Sequence, residues 1–166
     1  MLKSKRGFTL VEIIAVMAIS AILVGMAGSS YMDFKRNQAL SNAAAQLTLD
    51  LQYVRELSLK CESAARVDIY ANEYTIYPPS NYRLASPKNV RVSAEFEGTQ
   101  LTTNAGVVPA SFTVIPGGSF SLNGVDPSVF RVYTSYEPGS GASPPQGRHR
   151  TIVVDNTGTV RGLGDF

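Results

Sequence analysis

Glu12 is a carboxylate five residues into a run with no other charge, FTLVEIIAVMAISAILVGMAGSSY from Phe8 to Tyr31. Within a hydrocarbon layer such a group costs roughly 2.5–3.5 kcal/mol at a helix centre and less near an end, so it is kept for a partner. Its place in the first turns suits the positive end of a helix macrodipole. The second cluster with chemical potential is basic. Arg148, His149 and Arg150 adjoin one another in GRHR, and Arg161 is expected to approach them across a final hairpin, forming a small cationic patch able to contact phosphates. A plain solvated strand start is the competing reading of that patch.

Other chemistries find no support. The one histidine, His149, belongs to no nucleophile motif, and PGGSF and GTVRG are glycine turns without a phosphate-binding pattern, so no enzymatic activity is expected. A lone cysteine, Cys61, rules out an intrachain disulfide and, with one histidine, a zinc set. Asp155 and Asp165 make no calcium loop. Neither a metal nor a cofactor is expected.

The elements that carry these residues divide the 166-residue chain in two. Phe8 to Tyr31 has the length to cross about 30 Å of hydrocarbon as a helix, and is expected to do so. Lys3, Lys5 and Arg6 precede it, which places the leader in the cytoplasm and the remainder outside the inner membrane. Those three residues also account for the net charge of +2; without them the 13 acidic residues outnumber the basic ones by one, and general basicity offers no argument for nucleic acid. Beyond Tyr31 the apolar signal narrows to a stripe, Leu40, Ala44, Leu47, Leu51, Val54 and Cys61, at helical spacing. With no proline before Pro78, one helix is expected from Phe8 to about Lys60, half spanning and half packing, with Cys61 buried on the stripe. Ala21 and Gly25 form a small-xxx-small pair suited to close helix contact.

The rest reads as strands. A hairpin is expected over Arg66–Tyr77 with ANEY at its bend, then a loop through PPSNYRLASPKN. Strands follow at Val90–Phe96, Phe112–Ile115, Ser119–Leu122, Val129–Tyr133, Thr151–Val154 and Val160–Leu163, with a surface loop between Pro138 and Gly147. The fold class is therefore α+β, a long N-terminal helix packed on one or two antiparallel sheets.

KRGFTLVEIIAVMAISAIL resembles the prepilin signature of type IV pilins and of the pseudopilins of type II secretion. The resemblance implies a pilin-like fold, cleavage by a prepilin peptidase between Gly7 and Phe8, and N-methylation of Phe8 by the same enzyme. It implies as well that Glu12 neutralises the Phe8 amine of a neighbouring subunit during filament assembly. The head, with LQYVRELSL, an early hairpin, FTVIPGGSFSLNG and RTIVVDNTGTVRG in that order, is similar to the H-type minor pseudopilins and FimT-like minor pilins. GRHR matches, as a string, the GRxR motif of FimT-like proteins involved in DNA uptake, where the motif is expected nearer the last strand. These resemblances imply a leader (1–7), a transmembrane and filament-core helix (8–32), an amphipathic half (33–62) and a β-rich head (63–166). The expected function is that of a minor subunit of a type II secretion pseudopilus. Its partners would be other pseudopilins, the inner membrane and secreted protein cargo. A minor type IV pilin that binds DNA during transformation is the alternative.

Overall fold

A computed structural model describes the chain except for residues 1–7, 83–85, 97, 104–108, 123–128, 137–147, 156 and 164–166 and the side chains of residues 26–30, 122, 129, 130 and 163. Helix α1 runs Leu10–Cys61. The chain separates into two units, Met1–Arg36 and Asn37–Phe166.

In the first unit, Thr9 stands just before the helix and Glu12 in its first turn, the S/T-x-x-E spacing of a capping box. The apolar side chains that follow are open on every face: Leu10, Val11, Ile14, Met17 and Val24 are all more than half exposed. Gly25 has nothing within 4 Å of an added Cβ. The span expected over Phe8–Tyr31 runs through residues 26–30, which lie outside the described side chains; among the described residues no helix is long and apolar enough to cross a membrane.

In the second unit the stripe does what its spacing demands. Leu40, Ala44, Leu47, Leu51 and Val54 are buried, joined by Ala43 and Leu57. Truncating a side chain as enclosed as Leu47 to alanine costs about 3 kcal/mol, because the surrounding wall relaxes only in part. Cys61 departs from expectation. It is only partly buried, because it ends the helix: Glu62 turns left-handed at φ +47° immediately after it. Ser58, fully buried one turn earlier, secures that end by offering its hydroxyl to the carbonyls of Ser63, Val114 and Ile115.

Two antiparallel sheets pack on this stripe. Strands β1 (Ala65–Ile69), β2 (Tyr74–Tyr77), β3 (Lys88–Val90), β5 (Ala110–Val114) and β6 (Phe120–Leu122) form sheet A in the order β3-β2-β1-β5-β6. Strands β4 (Gln100–Thr103), β7 (Val129–Ser135), β8 (His149–Asp155) and β9 (Val160–Leu163) form sheet B in the order β4-β7-β8-β9. Val67, Ile69, Phe112 and Val114 from the first sheet and Leu101, Val132, Ile152 and Val154 from the second meet the helix in one core. The sheets also touch through backbone, where the Leu101 amide donates to the Ala71 carbonyl at 2.7 Å.

The hairpin over Arg66–Tyr77 is present, in the register Val67 to Ile76. The strand expected at Val90–Phe96 is not. Strand β3 stops at Val90, and Val92–Glu95 form a one-turn helix, α2. Val92 and Phe96 are four residues apart, so a helical turn aims both at the core where a strand would also have aligned them. The loop between Pro138 and Gly147 lies outside the described residues.

Candidate functional site

The N-terminal constellation consists of two residues. The Thr9 hydroxyl oxygen accepts the Glu12 amide at 3.3 Å, while Glu12 Oε2 accepts the Thr9 amide at 2.9 Å and the Thr9 hydroxyl at 3.0 Å. Two helix-terminal amides are thereby satisfied reciprocally. Glu12 is thus held on Thr9 by its own chain, with the carboxylate at the end of the helix where partial positive charge gathers. Phe8 itself is 85% exposed. Gly7 lies outside the described residues. The pairing of Thr9 with Glu12 was available in the string TLVE, and a reading of Glu12 by its charge alone passes over it.

The four basic residues do not form one patch. Arg150 opposes Thr134, Val153 opposes Arg161 and Val154 opposes Val160. Since neighbours along a strand point to opposite faces, the buried Ile152, Val154 and Val160 mark the helix side of the sheet. Arg150 shares that side and lines a groove against α1. Arg148 reaches the same helix, donating from Nη1 to Asn37 Oδ1 at 3.3 Å. His149 takes the other face, edge-on to Tyr133 with ring centroids 5.6 Å apart. Arg161 is exposed on that outer face and helps hold the Asp155 carboxyl below its usual range, behind the larger effects of the Thr157 hydroxyl and the Thr159 amide. The approach expected between Arg161 and Arg150 is therefore prevented by strand register, which sets them on opposite sides.

The glycine turns, which offered no ligand pattern, find a structural use. Arg55 of α1 donates from Nε to the Gly118 carbonyl at 3.2 Å and from Nη2 to the Thr157 carbonyl at 3.4 Å, joining the β5–β6 turn of one sheet to the β8–β9 turn of the other. Gly118 and Gly158 both lie at positive φ, +80° and +83°. Asp155 Oδ1 shapes the second turn by accepting the amides of Thr157 and Thr159.

A second polar junction holds the edge of sheet A to the helix. Asp50, 7% exposed, accepts Lys88 Nζ at 2.8 and 2.9 Å and the Tyr74 hydroxyl at 2.6 Å. Desolvation, and then the bond to Asp50, push the Tyr74 hydroxyl far above its ordinary pKa. A buried carboxylate held by two such donors is a fastening within the fold.

Comparison with known proteins agrees with this division. Residues 2–28 match the prokaryotic N-terminal methylation motif. No curated protein matches the chain. The crystal structure of the type IV minor pilin FimU of Pseudomonas aeruginosa is similar in fold in two crystal forms. One has a TM-score of 0.55 at 16% identity over 78% of this chain and 92% of that one, the other 0.52 at 15% over 75% and 92%. The minor pseudopilin EpsH of the type 2 secretion system of Vibrio cholerae aligns over 75% of this chain and 96% of its own at 16% identity and a TM-score of 0.48. The motif covers the N-terminal residues, and the two FimU structures share the arrangement of a long helix packed on antiparallel sheets.

Proposed function

We propose that this chain is a non-catalytic filament subunit, a minor pseudopilin of a type II secretion system that supports protein export. The observation that carries the proposal is the N-terminal constellation: a methylation motif, an apolar helix open on all faces, and Glu12 fixed by Thr9 at the helix head. So much apolar surface needs covering. The inner membrane would cover it before assembly and neighbouring subunits would do so afterwards. A prepilin peptidase would cut between Gly7 and Phe8 and methylate the new amine, with Glu12 supplying the counter-charge to that amine on an adjoining subunit.

A minor type IV pilin engaged in DNA uptake is the second reading, favoured by Arg148 and Arg150 lying on the same side of β8. DNA binding that weakens with salt and loses slope when both arginines become alanine would support it.

Intact-mass measurement and filament recovery test the main reading. The mature chain should begin at Phe8 with one added methyl group; a chain beginning elsewhere overturns the reading. Glu12→Gln keeps an oxygen to accept the Thr9 amide and removes the charge, so it separates capping from pairing. Processed protein should accumulate and its recovery in sheared filaments should fall, whereas normal incorporation would exclude the counter-charge role.

A further inference from the structure

Every described residue at positive φ is a glycine except one. The exception is Glu62, at φ +47°, in the position after α1 where glycine or asparagine ordinarily turns the chain. Its side chain adds a second penalty. The C-terminal end of a helix gathers partial negative charge and favours a cation, a preference that Lys60 in the last turn meets and Glu62 opposes. Nothing inside the fold offsets either cost. Glu62 is exposed, and among the described residues no hydrogen bond or ion pair engages its carboxylate. Lys60 pairs instead with Glu56, one turn back, at 3.8 Å.

The surroundings of Glu62 are acceptors and apolar groups. The last four carbonyls of a helix lack helical partners, and of these the Cys61 carbonyl accepts the side-chain amide of Asn81. Leu59, 43% exposed, packs against the β5–β6 turn, where a Cβ added to Gly118 would meet it at 3.2 Å. Ile115, where that turn begins, is exposed as well.

We propose that Glu62 docks an arginine side chain of a partner protein, with the guanidinium on its carboxylate and on the helix-end carbonyls and the apolar stem on Leu59. Local rules broken twice at one exposed residue, without a gain inside the chain, mark a position kept for an outside contact. Charge complementarity selects a cation. A guanidinium fork spans a carboxylate and a carbonyl at once, which a compact ammonium does less well. A metal ion fits poorly, because a hard cation such as calcium takes about six or more oxygens, and no group of three acidic, histidine or cysteine side chains gathers among the described residues. A polyanion such as nucleic acid would be repelled. This contact lies beyond the filament reading, since it concerns the second unit alone and holds whichever filament the chain joins.

The first measurement is stability, by urea unfolding of the full chain in detergent micelles. Glu62→Gly removes both penalties and should raise the folding constant about fivefold, whereas Glu62→Gln removes the charge alone and should raise it about twofold. Unchanged or lower stability in both would mean that the carboxylate has a partner in its own chain, and would overturn the proposal. The second measurement is an NMR titration of the same protein with acetyl-Leu-Arg-Leu-amide, with its citrulline analogue, which keeps the shape and lacks the charge, and with calcium chloride. The arginine peptide should shift the amides from Leu59 to Ser63 and bind about threefold more tightly than the citrulline peptide. Glu62→Gln should close that gap and Glu62→Asp should keep part of it. Absence of binding, equal binding of the two peptides to the parent, or a gap that survives Glu62→Gln would each overturn the proposal. Tighter binding of calcium at the same amides, displacing the peptide, would overturn it in favour of a metal site.

Discussion

Gly118 and Gly158 meet where two sheets turn: a Cβ built on Gly158 would stand 1.9 Å from the Gly118 carbonyl oxygen, the same oxygen that accepts Arg55 Nε at 3.2 Å. One carbonyl thus has the helix on one side and the opposite sheet's turn on the other, and only a residue without a side chain leaves room.

Replacing Gly158 by alanine combines that clash with a positive φ and should lower stability by about 3 kcal/mol. Gly98 provides the control. It has φ +81° with nothing within 4 Å of an added Cβ, so Gly98→Ala bears the conformational cost alone, about 1 kcal/mol. Urea unfolding of the two variants measures the difference, which isolates the close approach. Equal losses would show that the turns can separate.

Thr103 is fully buried in β4, and its hydroxyl has no hydrogen-bond partner among the described residues. Valine has the same shape without the unsatisfied group. Thr103→Val should therefore raise stability by about 1 kcal/mol, read as a higher urea midpoint at unchanged slope.

Tyr74 should make stability fall in alkali. Its folded-state pKa is raised, so at neutral pH both states are protonated and the full stability is present. As pH passes about 10, the unfolded chain ionises and the folded one does not, and stability is lost over that range. Tyr74→Phe removes the hydroxyl bonded to Asp50, so it should be the weaker protein at pH 7 by about 1 kcal/mol and should close the gap above pH 10. A constant gap would show that the Asp50 contact does not govern this titration.

Asp155 should act at the other end of the scale. Its pKa is lowered by the Thr157 hydroxyl, the Thr159 and Thr157 amides and Arg161, so its charge stabilises the final turn above the ordinary carboxylate range. That contribution fades as pH falls below about 4 and through the lowered value. Asp155→Asn should be less stable than the parent at pH 7 and equal to it in strong acid. A pH-independent difference would mean that the hydrogen bonds, and not the charge, hold the turn.

Much of this architecture is readable in the string because it rests on period. The stripe from Leu40 to Val54 and the hairpin at Arg66 follow from spacing alone. Strand β4 escapes because Leu101 is the one apolar residue it buries; Thr102 and Thr103, buried beside it, are polar, so no alternating hydrophobic signal forms. The one-turn helix at Val92 escapes because V-x-x-x-F fits a strand and a helix equally. For the basic cluster the obstacle is different. Adjacency in GRHR suggests a patch, but residues next to each other in a strand face apart, and the register that separates Arg150 from Arg161 depends on the hairpin between them. Glu12 stands out in the string by its charge, whereas its three-residue spacing from Thr9, equally present there, is what sets the capping contact.

Strand β4 belongs to sheet B, yet the chain lays it down between β3 and β5 of sheet A. Its partner, β7, comes only after β5 and β6 have returned to the first sheet. Such interleaving has a consequence in time. Sheet A can close around α1 from nearer neighbours, while β4 waits for a distant strand before its backbone is paired, and loops of that length slow the search. During synthesis the last two strands emerge after everything they cover, so a chain stalled before Thr151 leaves Ile152 and Val154 missing from the wall over α1. Substitutions in β8 and β9 should accordingly speed unfolding while leaving the folding rate almost unchanged.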